Sequence, residues 1–421
     1  MVPMKRLTRR GLLACGLLGA TAVHGAERTV LQLAAFPLVD EIARAALPVW
    51  RQMHPGVDIQ IVSRQYADHH TAMTTALSTS SLLPDVMALE SSFVGRFAQG
   101  GGLEDLAQPR YDIGRFRSRL VPYAYDQALG RNGAVVAVPT DIGPGTMLYR
   151  QDIVARAGVD PEDLTRSWAS YIAAGQLIKR STGAYLIAHV SEIKDILLRT
   201  GIQPGEGMYF DQDSRVLVQS ERFVRAFELA LQVRRLGLDA RVNAWSNEWA
   251  EGFKRGSLAT ELGGAWLVGQ LSNWVAQQTA GLWRAAQLPE GANAGYGGAF
   301  YAMPRRAAPE RKALAWQFIQ LMTLDRERQL AAFKTHDAFP ALLETHDDAF
   351  FEEPVAFLGG QKARLLWRVA ARRISAARVH KQNGFADEVV GSELDQVLKR
   401  GKPIRTALQD AARLLERRAH R

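Results

Sequence analysis

The sequence predicts an α/β fold in which a parallel sheet carries helices on both faces. After residue 28, short apolar runs of strand type alternate with stretches of helical spacing, at 29–35, 40–54, 57–62, 71–78, 85–89 and 92–99. This alternation is typical of βαβ units, whose strands lie parallel in one sheet. The ligand crevice of such a sheet lies beyond the carboxyl ends of the strands. We therefore expect a binding site among the loops 36–41, 63–68 and 90–93.

The rest of the chain predicts a second lobe that is rich in helices. Two strands are expected at 135–139 and 146–150, with a turn-rich segment between them where the chain crosses to this lobe. A return crossing is expected at 299–303, after two glycines. Several crossings, rather than one tether, would then join the lobes. Short strands are also predicted at 258–262 and 283–288, and helices at 168–179, 193–200, 221–236, 248–255, 310–323, 361–376, 387–400 and 404–417.

Residues 1–26 differ in character from the rest of the chain. Four cations precede an apolar stretch at 11–23 that ends in small residues: Lys5, Arg6, Arg9 and Arg10. This order predicts a secretory signal peptide cleaved between residues 22 and 26, and the apolar stretch is too short for a membrane anchor. The paired arginines fit either a twin-arginine signal or an ordinary basic region. We therefore expect an exported, periplasmic protein.

Composition is that of a soluble globular protein, with 421 residues, 47% hydrophobic and 23% charged. Cys15 is the only cysteine and lies inside the predicted signal, so the mature chain would have no disulfide or thiolate chemistry. The net charge of +9, less the four signal cations, gives +5. The basic stretch 364–381 is interleaved with apolar residues, as on a solvated helix face. We expect no nucleic-acid partner.

The sequence contains no recognisable catalytic or metal-binding motif. The zinc-protease helix, the phosphate loop and the serine elbow are absent, and the histidines lack ligand spacing. The acidic residues at 347–353 do not have the spacing of a calcium loop. We expect no cofactor, no metal and no enzymatic activity. A pair of catalytic carboxylates far apart in the chain stays open, because such pairs need not be close in sequence.

Seven segments in order resemble one family, the extracellular solute-binding proteins of sugar-type ABC importers, which includes maltose-binding protein. The segments lie at 84–103, 134–153, 157–168, 253–267, 281–298, 315–319 and 339–341. Each is short, but the ordered set covers nearly the whole mature chain. The resemblance implies a two-lobed periplasmic-binding-protein fold (type II), each lobe a sheet flanked by helices, joined by a multi-strand hinge. It assigns 27–138 with 297–340 to the N-terminal lobe, and 139–296 with 341–421 to the C-terminal lobe.

The resemblance also implies a function. A monomeric binding protein would capture a mono- or oligosaccharide between its lobes and deliver it to the permease of an ABC importer. A second hypothesis is an anionic ligand, such as a glycerophosphodiester or sugar acid, with Arg64 or Arg150 as contributors. An arginine directed into the cleft would favour it. A third hypothesis, a secreted glycan-processing enzyme, would need two carboxylates in the cleft.

A sugar requires flat aromatic groups for its C–H face and carboxylates or amides for its hydroxyls. Trp266, in a Gly-x-Trp element, is by resemblance a cleft residue, or else a core tryptophan. Glu90 follows the third strand, and Ser91 or Ser92 would bind ligand or cap the next helix. Asp141 would accept ligand hydroxyls or hold a turn. The other candidates are Phe36, Asp40, Gly143, Trp245, Tyr296, Gly297, Gly298, His336 and Asp337.

Overall fold

A computed structural model describes residues 28–130, 133–377 and 379–420, without the side chain of Gln99. The predicted signal peptide, with Cys15, lies outside the described residues. The strands are β1 (Thr29–Ala35), β2 (Val57–Ser63), β3 (Val86–Glu90), β4 (Val138–Arg150), β5 (Thr260–Gly264), β6 (Trp283–Ala286) and β7 (Gly295–Ala302).

Sixteen α-helices follow one another along the described chain. They are α1 (Val39–Met53), α2 (Tyr66–Thr79), α3 (Ser91–Gln99), α4 (Pro122–Gln127), α5 (Gln151–Arg156), α6 (Asp163–Arg166), α7 (Trp168–Thr182), α8 (Ser191–Leu198), α9 (Glu221–Arg235), α10 (Asn247–Arg255), α11 (Leu267–Gln270), α12 (Pro309–Leu324), α13 (Arg326–His336), α14 (Ala363–Ala371), α15 (Asn383–Arg400) and α16 (Ile404–Ala419). Of these, α4, α5, α6, α11 and α13 were not predicted, and α14 is shorter than the predicted 361–376. None of the helices in the described ranges is both long and apolar enough to cross a membrane.

The strands form one sheet in the order β2-β1-β3-β7-β4-β5, with β6 also paired to β4. β1 pairs in parallel with β2 and β3, which confirms the predicted βαβ arrangement. β7 then joins β3 in the antiparallel sense, so the whole sheet is mixed. The carboxyl ends of β1, β2 and β3 consequently open toward the same edge, as the sequence order requires.

The prediction of two strands separated by a turn at 140–145 is wrong. β4 is one strand of 13 residues: Val138 to Pro144 pair with β7, and Gly145 to Arg150 pair with β5 and β6. The glycine and proline residues that suggested a turn instead coincide with shifts in register against β7. Such irregularities let a strand accommodate proline, which lacks an N–H, without ending the ladder. A single strand therefore passes from one part of the sheet to the other.

A further segment joins β4 and β7 at the same point. The Ile142 N–H donates to the Phe339 carbonyl at 2.8 Å, and Asp141 forms a bridge with Pro340. Three stretches of chain thus meet beside Asp141, which confirms several crossings rather than one tether.

Buried apolar side chains form two clusters. The first surrounds β1, β3 and β7 and extends across the crossing strands to Phe253 and Trp283. The second lies among α7, α8, α9, α15 and α16, with Tyr171 and Phe227 fully buried in it. Two cores of this kind fit a two-lobed fold, because each lobe needs its own apolar interior.

Candidate functional site

A cavity of about 810 Å³ lies where the carboxyl ends of β1, β2 and β3 face the crossing strands. Ten of the fourteen predicted site residues line it: Phe36, Glu90, Ser91, Ser92, Asp141, Trp245, Trp266, Tyr296, Gly297 and Gly298. The size is that of a small-molecule site. The cavity therefore lies at the strand ends, where the order of elements in the sequence predicted the crevice.

Glu90 organises the first wall of the cavity. Its Oε2 accepts hydrogen bonds from the Tyr66 hydroxyl at 3.0 Å and from the Ser92 backbone N–H at 2.9 Å, and Ser92 Oγ also donates to it. Its Oε1 accepts from Ser91 Oγ at 2.6 Å. The cap of α3 is thus Glu90, and not Ser91 or Ser92, because its carboxylate accepts the N–H of Ser92, the second residue of the helix. Most of its acceptor capacity is already used.

A histidine and two phenylalanines pack behind this wall. His70 Nε2 accepts the Glu90 N–H at 3.1 Å, so Nδ1 carries the proton and donates to the Tyr66 carbonyl at 2.8 Å. Burial lowers the pKa of His70, which agrees with this neutral form. Its ring stacks on Phe93 at 4.0 Å and lies 5.3 Å from Phe36. His70 therefore positions Tyr66 and Glu90 rather than binding a metal.

The second wall is aromatic. The Trp266 and Trp245 rings are nearly parallel, 15° apart, with centroids separated by 5.9 Å. Trp266 Nε1 donates to the Tyr296 carbonyl at 2.8 Å, which fixes the plane of the indole. Trp266 is half-buried and faces the cavity, so the prediction of a cleft tryptophan agrees with its position. Trp245 is 59% exposed at the rim.

Glycines allow the crossing strands to approach Trp266. A Cβ on Gly264 would lie 2.2 Å from Trp266 Nε1, and one on Gly143 would lie 1.8 Å from the Tyr296 oxygen. Gly297 and Gly298 have φ of 84° and 122°, a region open to glycine but unfavourable for other residues. Gly143 lies behind Tyr296 and is not part of the lining. Its lack of a side chain lets β4 approach Tyr296, which does line the cavity.

Asp141 forms part of the floor between the two walls. It lies within β4, where its carboxylate accepts a hydrogen bond from the Ala299 N–H, and not in a turn. Burial, reinforced by the Glu90 carboxylate, raises the pKa of Asp141 to about 7 against that hydrogen bond. A carboxyl that titrates near neutrality can accept or donate a hydrogen bond to a hydroxyl.

Arg199, at the end of α8, also lines the cavity. Its guanidinium lies 4.6 Å from the centroid of the Tyr296 ring and donates to the Asp195 carbonyl at 2.7 Å. Burial alone would lower the pKa of Arg199, but Tyr296, Asp195 and Asp387 together raise it. The guanidinium is therefore a cation that is already partly balanced by neighbouring acids.

Three further predicted site residues lie away from the cavity lining. Asp40 is buried in the first turn of α1 and pairs with Arg44 at 2.8 Å. His336 Nδ1 lies 3.8 Å from Glu41, and Asp337 lies 3.9 Å from Arg364 at the end of α13. Their neighbour Ala338 lines the cavity instead. All three are close in sequence to residues of the cavity lining, but their side chains contact charged residues outside it.

Several lining residues were not predicted: Gln65, Tyr66, Gln127, Arg199, Gln270 and Asn383. Gln65 and Tyr66 fall in a loop that the strand order did single out. Gln270 follows Trp266 by one helical turn, and this spacing predicts that both residues face the same side, toward the cavity. Gln127, Arg199 and Asn383 come from helices whose approach to the cavity depends on tertiary packing. Neither Arg64 nor Arg150 lines the cavity, and Arg150 pairs with Asp152 at 2.8 Å.

Comparison with known proteins assigns the family. Residues 50–359 match the family described as bacterial extracellular solute-binding protein. This chain belongs to that family. Because the family is extracellular, membership implies an exported protein. The match spans the strands that cross beside Asp141 as well as both walls of the cavity.

One curated relative and one solved structure are similar over most of the chain, and a second relative is similar over less than half of it. The lactose-binding protein of Rhizobium radiobacter is 26% identical and covers 94% of this chain and 96% of its own. An arabinooligosaccharide-binding protein of Bacillus subtilis (strain 168) is 24% identical over 42% of this chain and 41% of its own. A solved extracellular solute-binding protein of family 1 has a TM-score of 0.81 at 22% identity, covering 93% of this chain and all of its own. These relatives are solute-binding proteins, and the solved structure shares this fold.

Proposed function

We propose that this protein captures a carbohydrate in the cavity between its lobes and delivers it to the membrane permease of an ABC importer. The observation that carries the proposal is the composition of the cavity. Trp245 and Trp266 contribute two nearly parallel indoles to the second wall, and Asp141 provides a carboxyl group on the floor. Stacking on C–H groups and hydrogen bonds to hydroxyls are the two interactions that a sugar offers.

The relatives support the same ligand class. The names of the two relatives above give lactose and arabinooligosaccharides as their ligands. A binding protein of an ABC transporter from B. animalis subsp. lactis, solved with β-1,6-galactobiose, has a TM-score of 0.75 at 21% identity and covers 93% of this chain and 97% of its own. The transfer of this ligand class to the present chain is part of the proposal.

An anionic ligand is the second candidate, and Arg199 is the observation that favours it. Its guanidinium is the kind of cleft cation that a sugar acid or phosphodiester would use. The nearby Asp195 and Asp387 carboxylates offset that charge, and the cavity lining also contains the carboxyl groups of Glu90 and Asp141, the latter ionised above a pKa of about 7. These acidic groups disfavour the binding of an anionic ligand, so a neutral sugar ranks first.

We also propose that the protein is not an enzyme. Glycoside hydrolysis needs one carboxyl as acid and a second as base or nucleophile. Among the described residues that line the cavity, the acidic ones are Glu90 and Asp141. Both Glu90 oxygens already accept hydrogen bonds from Tyr66, Ser91 or Ser92, which disfavours a role in proton transfer.

The lobe boundaries and the location form the remaining part of the proposal. The N-terminal lobe would comprise 27–138 with 297–340, and the C-terminal lobe 139–296 with 341–421. The beginning of β4 at Val138 and the passage of β7 through Gly297 and Gly298 support these boundaries. The protein would act as a monomer in the periplasm after removal of residues 1–26.

A thermal-shift screen of residues 27–421 tests the ligand class. The panel contains lactose, β-1,6-galactobiose, arabino-oligosaccharides, sugar acids and glycerophosphodiesters. A ligand that binds only the folded form raises the melting temperature by mass action. We expect a neutral saccharide to do so, and the Trp266→Ala variant to bind it at least about tenfold more weakly.

Two controls accompany the screen. Leu177→Ala removes an exposed apolar side chain on α7, away from the cavity lining, and should bind as the wild type does. Arg199→Met separates the ligand classes: it should abolish binding of an acidic ligand and only weaken that of a neutral one. A shift with acidic ligands alone would overturn the neutral-sugar proposal.

A further inference from the structure

Two of the nine tryptophans are exposed, and they lie on neighbouring elements. Trp245, 59% exposed, lines the cavity, whereas Trp274, 56% exposed, does not. The other seven are buried or, in the case of Trp266, half-buried in the second wall. An isolated exposed apolar residue is ordinary. The position of Trp274 relative to the cavity is what gives it significance.

Trp274 lies one turn beyond a residue of the cavity lining. Helix α11 continues into a π-helical turn at Leu271–Val275, and Gln270, the last residue of α11, lines the cavity. Trp274 follows Gln270 by four residues, which is about one helical turn, so the two residues are neighbours along the helix.

The turn is held by its other apolar residues. Leu271 is fully buried and Val275 packs against the first core cluster. The turn also packs against α10, the helix that begins two residues after Trp245. Single π-turns are uncommon and recur at functional sites. Trp274 is thus exposed on a turn that its buried neighbours hold in place.

We propose that Trp274 is a stacking platform for a sugar ring that extends out of the cavity, so that the ligand is an oligosaccharide with at least one ring beyond the cavity rim. This inference rests on the proposed function. The indole face matches the C–H face of a pyranose or furanose ring. The exposed Asn273 beside it offers amide groups to the hydroxyl rim. A mono- or disaccharide held at Trp266 would leave Trp274 uncovered.

Isothermal titration calorimetry with saccharides of increasing length tests this proposal. The probes are galacto-oligosaccharides and arabino-oligosaccharides from monosaccharide to hexasaccharide, applied to wild type, Trp274→Ala and Trp274→Phe. We expect Trp274→Ala to bind the longer members about tenfold more weakly while the shortest ligand binds equally well. Trp274→Phe keeps a flat ring and should retain most of the affinity. Because the side chain is exposed, an unchanged melting temperature should confirm intact folding.

The outcomes separate this inference from the proposed function. If no saccharide binds the wild type, the proposed function fails and this inference fails with it. If saccharides bind the wild type but Trp274→Ala binds every length equally well, only this inference fails. Equal weakening for all lengths, including the shortest, would also overturn it. Unchanged binding together with reduced transport by a reconstituted importer would assign Trp274 to the permease interface instead.

Discussion

Replacing Gly143 with alanine probes how tightly the crossing strands must pack. An added Cβ would lie 1.8 Å from the Tyr296 carbonyl oxygen and 3.1 Å from Trp266 Nε1. Carbon–oxygen contacts normally lie at about 3.3 Å or more, so β4 and β7 would have to separate by about 1.5 Å. The hydrogen bond from Trp266 Nε1 to that oxygen, now 2.8 Å, cannot survive such a shift.

The expected cost has two parts. Overpacking of a rigid contact costs about 1–3 kcal/mol, and the lost hydrogen bond costs about 1 kcal/mol. We therefore expect Gly143→Ala to lower the free energy of unfolding by about 2–4 kcal/mol and to weaken ligand binding through the displaced indole. Urea denaturation measures the first effect, and near-ultraviolet circular dichroism reports the tryptophan environment.

A matched substitution controls for the change from glycine to alanine. Gly391 lies within α15, where an added Cβ meets no atom within 4 Å. Gly391→Ala should raise the free energy of unfolding by about 0.5–1 kcal/mol, because it restricts the unfolded chain without a clash. Wild-type stability and an unchanged tryptophan spectrum in Gly143→Ala would refute the packing explanation.

Three further sets of substitutions test other parts of the structure. Burial raises the pKa of Asp141 from its ordinary value near 3.8 to about 7, so its contribution to stability is full below pH 3.8 and is lost as the pH rises toward 7. Asp141→Asn should remove this loss of stability from the pH dependence of the urea midpoint. A pH profile identical to that of the wild type would contradict the raised pKa. Ser246 Oγ accepts the Trp249 N–H at 3.1 Å at the start of α10, so Ser246→Ala should cost about 1 kcal/mol in urea denaturation, whereas Ser246→Asp should cost little. Asp85 accepts hydrogen bonds from Arg311 through both of its oxygens, at 2.7 and 2.5 Å, so Asp85→Asn should lower the free energy of unfolding by about 2–3 kcal/mol. Adding Arg311→Met should recover part of that free energy. If the losses of the two single variants were additive in the double variant, the ion pair would not explain them.

Elements whose pattern reports local burial were predictable from sequence. β1 spans the predicted 29–35 without change, and α1, α9 and α16 agree with their predicted ranges within two residues. Periodicity suffices there, because a strand or helix with one buried face must repeat its apolar residues at a fixed spacing. The same logic located the loops of Phe36 and Glu90, since the end of a parallel strand lies at the crevice by topology.

Only the tertiary structure decided how distant segments combine. The glycines and proline of 140–145 suggested a turn, yet β4 continues because β7, β5 and β6 supply partners along its whole length. Asp40 and Asp337 have side chains that pair with cations outside the cavity, whereas Arg199 reaches the cavity from a helix with no sequence signal for it. The sequence thus determined most of the long helices, the family resemblance and the strand ends that form the first wall. The contacts of the cavity depended on packing between residues far apart in the chain, which local periodicity does not record.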